Sequence, residues 1–380
     1  MSAVMLLREV LRETEYFRIQ RAGRFLITEL LQPHVVLSTS FKNGGLEESL
    51  GYLLNHQSCE AAAHVERHGL IHNGGLGSYH DRTCEEAGLD PSAVAMMGTA
   101  ANMNCASVVE HQCDELSVTA IVTAGVGGNA ACAGDPTTWH EGASGFHQVA
   151  RYAGTINTKV LINHRLTPGA LAAVAMVMTE AKGAALQRLA VRSKYSLEFA
   201  TGTNTDQFCI ASLGESARTL TSVSTGVRTG ELIGMAVREA TLEALRWQNG
   251  LEPSYARSIF HALGRFGLKE ETFLEDVAPY LGEAQLRLLK SNCKAVVYEP
   301  MVAAAAYAMA TLLDRLRHGI LPAGAVRQSL RQQGASMAAG LAAQPQRWPE
   351  FHRALPEVNL THPESLVLAA LALGWTAKWS

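Results

Sequence analysis

The chain has 380 residues, enough to bury a large core, and sets 32 Lys+Arg against 35 Asp+Glu for a formal charge of −3. This near balance, with no basic stripe and no RNA-binding or zinc-finger spacing, argues against nucleic acid as a partner. Its 33 glycines, many alanines and few aromatics suit close-packed sheets and helices rather than a disordered chain.

The seven cysteines (Cys59, Cys84, Cys105, Cys113, Cys132, Cys209 and Cys293) are scattered, odd in number and without a CxxC pair. Reduced thiols and a cytoplasmic location are the expectation. Glu9, Glu13 and Glu15 interrupt any signal-peptide plan, and no apolar run reads as long enough to span a membrane.

In chain order, residues 5–20 read as a charged helix or strand. Phe25–Leu31 and Val35–Leu37 read as strands parted by Pro33, and the second delivers the turn Lys42-Asn43-Gly44-Gly45. Asn43 can both donate and accept, as an amide-bearing substrate requires; a purely structural turn is the alternative. His56, His64, His68, His72 and His80 follow. The spacing of His64, His68 and His72 would put them on one helix face, as metal ligands could be. However, Gly69 and Asn73-Gly74-Gly75 predict that such a helix ends near residue 68. Neither HExxH nor a zinc-deaminase PCxxC is present, so these are read as partly exposed histidines and no metal is expected.

Val94–Met97 and Thr119–Thr123 read as buried strands, with a helix over 104–113 between them. They end at Thr99 and at the Gly125–Asn129 glycine turn, with Asp135 beyond, the kind of strand end at which α/β proteins place chemistry. The glycines match neither a Rossmann fingerprint nor a P-loop, so no cofactor is expected. Gly154–Asn163 is an alternating strand that opens with Thr155 and Asn157. Thr167 and Pro168 start a helix that runs to about Leu189 and carries Glu180 and Lys182, which lie on different faces. The hydroxyl-rich Thr201-Gly202-Thr203-Asn204-Thr205-Asp206 then runs into apolar Phe208–Ala211, a strand end beside a buried strand. Past Gly250-Leu251-Glu252-Pro253 the tail reads as helices at about 254–265, 270–290, 298–317, 323–343 and 364–374. It carries no catalytic motif and is expected to pack on the first domain or to offer a homo-oligomer surface. The predicted architecture is a layered α/β domain of mixed sheet with packed helices (1–248), followed by an all-helical region (249–380).

The blocks "LSTSFKNGG", "GTAAN", "TAGVGGNAACAGD", "GTINTKVLIN", "LTPGALAAVAMVMTEAKGAAL", "ATGTNTD" and "GELIG", in this order over about 35–245, resemble the adenosylcobinamide amidohydrolase (CbiZ) family. The resemblance implies a cytoplasmic enzyme of corrinoid salvage in cobalamin biosynthesis. Such an enzyme takes a small-molecule corrinoid and hydrolyses the amide between its aminopropanol arm and the ring, releasing adenosylcobyric acid. The chain departs from the family pattern at Asn204, where relatives usually carry glycine, and over Ser224–Thr229, where relatives often carry a Lys-His pair.

Hydrolysis of an unactivated amide needs an activated nucleophile, donors for the oxyanion and an acid for the leaving amine. Glu180 and Asp206 are the acid–base candidates. Thr203 is the candidate to position or supply the nucleophile, and Lys182 to activate it or stabilise charge. Asn43, Gly44, Gly45, Asn129, Asp135, Thr155, Asn157, Thr201 and Thr205 are the substrate-binding candidates. A covalent threonine route and direct attack by water both fit, while the absence of GxSxG speaks against a serine-hydrolase triad. A corrinoid-binding protein without catalysis, or a hydrolase of another amide, would use the same residues.

Overall fold

Strand alternation decides how this chain stacks its layers. The computed structural model describes residues 7–58, 64–136, 139–142, 145–148 and 154–379. The chain opens with β1 (Glu9–Glu13), β2 (Phe17–Ala22), β3 (Phe25–Leu30), β4 (His34–Ser38), β5 (Gly45–Glu47) and β6 (Tyr52–Gln57). Helix α1 (His64–Glu86) leads to β7 (Val94–Thr99), β8 (Ser107–Cys113) and β9 (Leu116–Ala124). Three short strands, β10 (Ala130–Ala131), β11 (Trp139–Gly142) and β12 (Gly145–Gln148), precede β13 (Ile156–Ile162) and α2 (Pro168–Arg188). The short β14 (Gly202–Thr203), β15 (Gln207–Leu213) and α3 (Arg228–Asn249) complete this part.

One sheet has five strands in the order β1-β2-β3-β6-β7, and the other six in the order β5-β4-β15-β13-β9-β8. Both are mixed, because β6–β7 and β13–β15 run parallel among antiparallel neighbours. On β13, Ile156, Val160 and Ile162 face α2 and α3, where they meet Val174, Val177 and Ile233. The alternate residue Leu161, with Ile121 and Ala211 of neighbouring strands, meets Ile19, Leu26 and Leu53 of the five-stranded sheet. Tyr79 and Cys84 of α1 cover that sheet's outer face. The layers are therefore helix, sheet, sheet, helices.

The edge strand β7 is capped by side chains rather than by another strand. Met96 N–H donates to Ser40 Oγ (2.9 Å) and Gly98 N–H to Gln207 Oε1 (2.9 Å). Asn43 Nδ2 donates to Val94 O (2.9 Å) and Asn157 Nδ2 to Gly98 O (3.0 Å). An exposed edge would invite pairing with another chain; here it is stitched to the second sheet instead.

A second compact unit, Pro253–Ser380, has its own core. It comprises α4 (Ile259–Leu263), α5 (Phe273–Val277), α6 (Glu283–Val297), α7 (Pro300–Arg317), α8 (Ala323–Ala342), α9 (Trp348–Ala354) and α10 (Glu364–Lys378). The mixed α/β region followed by helices is the architecture expected from the sequence.

Four local expectations fail. Residues 104–113 are not a helix: a 3-10 turn at Met103–Cys105 leads into β8, which pairs with β9 along its length. Strand pairing there outweighs weak local helix preference. The helix expected to stop near residue 68 continues to Glu86 with a kink at Gly75 (φ 73°), where the chain breaks helical geometry for one residue and resumes it. The helix expected over 270–290 is cut where Pro279 lacks an N–H and Gly282 turns extended. Finally, α2 is long and apolar enough to cross a membrane by length and composition; half of that stretch is buried in this domain.

Lys159 on β13 is wholly buried between the sheets. Its Nζ lies within hydrogen-bond distance of Leu53 O (2.7 Å), Leu26 O (2.9 Å) and Thr28 Oγ1 (3.3 Å). Burial pushes its pKa down from 10.5 to about 7, against a small upward pull from Cys209. At about 1.4 kcal/mol per pH unit, charging the amine in place costs on the order of 5 kcal/mol. Between pH 7 and 10.5 the unfolded chain holds a proton on this amine that the folded chain lacks, so stability rises with pH across that window. Denaturant titrations at stepped pH should show that slope in the wild type, and Lys159→Met should flatten it.

Candidate active site

The residues with the densest polar contacts gather at one end of the six-stranded sheet, where β13 and β15 begin and β9 ends. The register places Asn157 beside Gln207 and Ile156 beside Ala124, so the turns at 125–131, 154–155 and 201–206 meet there. The hydroxyl-rich run forms β14, which pairs with β10 (Ala130 with Thr203, Ala131 with Gly202), and then turns into β15.

Asp206 sits at the centre of this turn. Its Oδ2 accepts from Lys182 Nζ (2.5 Å) and Thr203 N–H (3.0 Å). Its Oδ1 accepts from Ile156 N–H (2.9 Å) and, in a very short bond, from the Thr203 hydroxyl. A carboxylate has about four acceptor positions, and all four are filled. The side chains of Lys182 and Asp206 are 14% and 17% exposed, so the pair is partly desolvated and stronger than a surface ion pair. Gly202 is pressed against both: a Cβ there would lie 3.1 Å from Lys182 Nζ and collide with Asp206 Oδ2.

A second network adjoins the first. Thr205 Oγ1 lies 2.6 Å from Thr155 Oγ1 and donates to Gly154 O (2.9 Å). Asn129 Nδ2 donates to Gly154 O (2.8 Å) and Thr205 Oγ1 (3.2 Å), while Tyr195 donates a very short bond to Asn129 Oδ1. Gly154, at φ 148°, lets this turn close, since a Cβ would lie 2.7 Å from Gly125 O. Thr201 Oγ1 accepts from Ala133 N–H (2.9 Å). Nearby, Asp135 accepts from Cys132 N–H (2.7 Å) and Ser193 Oγ (2.5 Å). Burial works to raise its pKa, but the bonds from Ser193, Ser196 and Cys132 outweigh it and hold the carboxyl below the usual range.

Glu180 is exposed and has no ion-pair or hydrogen-bond partner among the described residues. With Met176, Thr179, Gly183 and Gln187 of α2, and with Thr201 opposite, it lines a groove of about 730 Å³. The helix thus turns Lys182 inward to Asp206 and leaves Glu180 in the open, as residues two apart must be.

The remaining candidates lie elsewhere. Asn43 (φ 54°) spends its amide on Pro91 O and Val94 O, and Gly44 and Gly45 carry that turn into β5. Asn157 is 1% exposed and donates to Asn55 Oδ1 (2.9 Å) and Gly98 O, inside the fold. Glu231, the carboxylate of the GELIG block, pairs with Arg228 on the first turn of α3. At the other end of α3, Gln248 and Asn249 accept from Asn102 N–H and Val126 N–H.

Two members of the histidine run depart from the expected partial exposure. His56 and His80 are buried, His56 stacking on Phe25 and bonding to Tyr79, with burial pushing its pKa down to about 3. The side chains of His64, His68 and His72 lie outside the described residues, as does Cys59. No cluster of three metal-ligating side chains exists among the described residues. Lys159, Tyr195 and Ser193 went unread in the sequence. Only Lys159 carried a signal, as a lysine inside an otherwise strand-like run.

The family model for adenosylcobinamide amidohydrolase matches residues 8–253. An uncharacterized protein of Methanocaldococcus jannaschii is 30% identical over 236 residues, spanning 60% of this chain and 88% of that relative. The matched region holds both sheets, α1 to α3 and every contact of the Asp206 turn, and on this evidence the chain belongs to the adenosylcobinamide amidohydrolase (CbiZ) family.

Proposed function

We propose that this protein hydrolyses the aminopropanol amide of adenosylcobinamide to give adenosylcobyric acid, as a cytoplasmic enzyme of corrinoid salvage. The observation that carries this reading is the convergence, in a chain of this family, of Lys182, Asp206 and Thr203 on one turn beside the groove that Glu180 and Thr201 share.

Asp206 has no free acceptor position, so it orients Lys182 and the turn rather than moving protons. The Thr203 hydroxyl donates to Asp206 and accepts from Thr205 N–H (3.4 Å), which commits it to the turn. Water is then the nucleophile, and Glu180 is the open carboxylate that takes its proton. The oxyanion forms against the Thr201 hydroxyl, whose oxygen already accepts from Ala133 and whose proton is left to donate. Lys182 Nζ lies beside Gly202, one residue along, and lends positive charge there. Collapse breaks the C–N bond, Glu180 returns the proton to the amine, and acid and aminopropanol leave.

Incubation with adenosylcobinamide, followed by chromatography for adenosylcobyric acid, tests the activity directly. Glu180→Gln should lower kcat by about 10²–10⁴ with the melting temperature unchanged. Asp206→Asn should lower both, because it weakens the Lys182 pair. Near-normal rates in both variants would overturn the assignment. A corrinoid spectral shift without product would favour a binding protein that has lost catalysis, the reading favoured by the lack of histidine over Ser224–Thr229.

Gly202→Ala offers a separate check on the geometry. The added methyl must push Asp206 and Lys182 apart, so the variant should melt lower than the wild type and lose turnover with Asp206→Asn. Full activity in this variant would show that the Lys182–Asp206 contact is dispensable.

A further inference from the structure

The groove beside Glu180 is larger than hydrolysis of one amide bond requires. Met176, Glu180, Gly183 and Gln187 recur at helical spacing along the outer face of α2, a strip about 16 Å long. Met176 is 66% exposed at one end, and Gln187 is exposed at the other. An added Cβ at Gly183 meets no atom within 4 Å, so nothing in the fold demands glycine at this point. A helix-interior glycine weakens a helix relative to alanine, which makes an open, unobstructed floor the feature that this position supplies. The groove, about 730 Å³, is shallow and open to solvent.

We propose that this strip is the seat of the corrinoid macrocycle and that Met176 and Gly183 determine specificity for it. The inference rests on the corrinoid reading above. Met176 and the bare surface at Gly183 receive a broad apolar face, the polarizable thioether adapting to its contour. Thr179 and Gln187 offer a hydroxyl and an amide at the margin for peripheral carboxamides, which both donate and accept. A ring seated there spans Glu180, which lies between Met176 and Gly183 on the same face, and its side arm turns to the groove's edge at Thr201, where the amide is cut. The groove is continuous with the acid–base group and the oxyanion donor because the same residues line both.

The test compares the full-length wild type with Gly183→Leu and Met176→Asp, using adenosylcobinamide as substrate and spectral titration with the same corrinoid for affinity. Both variants should raise KM and Kd at least tenfold while kcat stays within about twofold, a split that a general loss of fold would not give. Gly183→Ala serves as the folding control and should melt at or above the wild-type temperature. If the wild type turns over adenosylcobinamide and both variants keep its KM and Kd, the macrocycle seat is elsewhere and this inference fails while the amidohydrolase reading stands. If the wild type binds without turnover, the Kd comparison decides in the same way. If the wild type neither binds nor cleaves the corrinoid, the functional reading fails, and the seat with it.

Discussion

The arrangement of this site depends on one carboxylate with no acceptor position left over. Asp206 takes donors from three separately folded pieces: Lys182 of α2, the Ile156 N–H at the start of β13, and Thr203 of its own turn. A carboxylate that is largely out of water is costly unless its oxygens are satisfied, and removing one partner leaves a penalty rather than a neutral gap. The helix, the strand and the hydroxyl-rich turn are therefore held to one another by the same anion. Chemistry placed on that turn inherits the rigidity of a sheet and a helix, not that of a loop.

Helix α2 works on two sides of that turn. Its inner stripe, including Ala170, Val174, Val177 and Ala181, packs on the sheet and fixes the helix axis. Lys182 leaves from one flank and pairs with Asp206; Glu180, two residues earlier, leaves from the other and stays open. Both reach the 201–206 segment, the first through Asp206 and the second through the groove shared with Thr201. The paired cation and the unpaired anion are separated by helix geometry, which prevents them from quenching each other.

Much of this was legible in the sequence where local signals were strong. The strands at 25–31, 35–37, 94–97 and 119–123 showed in β-branched apolar runs, and α2 showed in its Thr167 cap and Pro168 start. The Thr201–Asp206 run and Lys182 were both singled out, because alternating hydroxyls and an ionisable residue on an apolar helix are unusual locally. The errors came from what covers a face, which no local pattern states. Asn157 and Lys159 alternate with apolar residues on β13 and so resemble an open, polar face, yet a second sheet covers that face and buries both. Asn43 reads as a ligand group because it is an amide in a glycine turn, but its amide is used in capping the edge of β7. Tyr195 lies in an irregular segment, 190–200, that gives no periodic signal at all.

The polar groups between the sheets have a cost and a consequence. Asn55 donates to Thr123, Asn157 donates to Asn55, and Lys159 reaches Leu26, Leu53 and Thr28 across an otherwise apolar layer. Purely apolar faces can slide over one another at little cost, because dispersion and burial have no direction. Here a one-residue shift would strand a buried amine and two amides, at roughly 1–3 kcal/mol for each unsatisfied group. That penalty fixes β13 against the opposite sheet. Ile156 lies immediately before Asn157 on the same strand, so the lock between the sheets also sets the position of the backbone N–H that Asp206 grips.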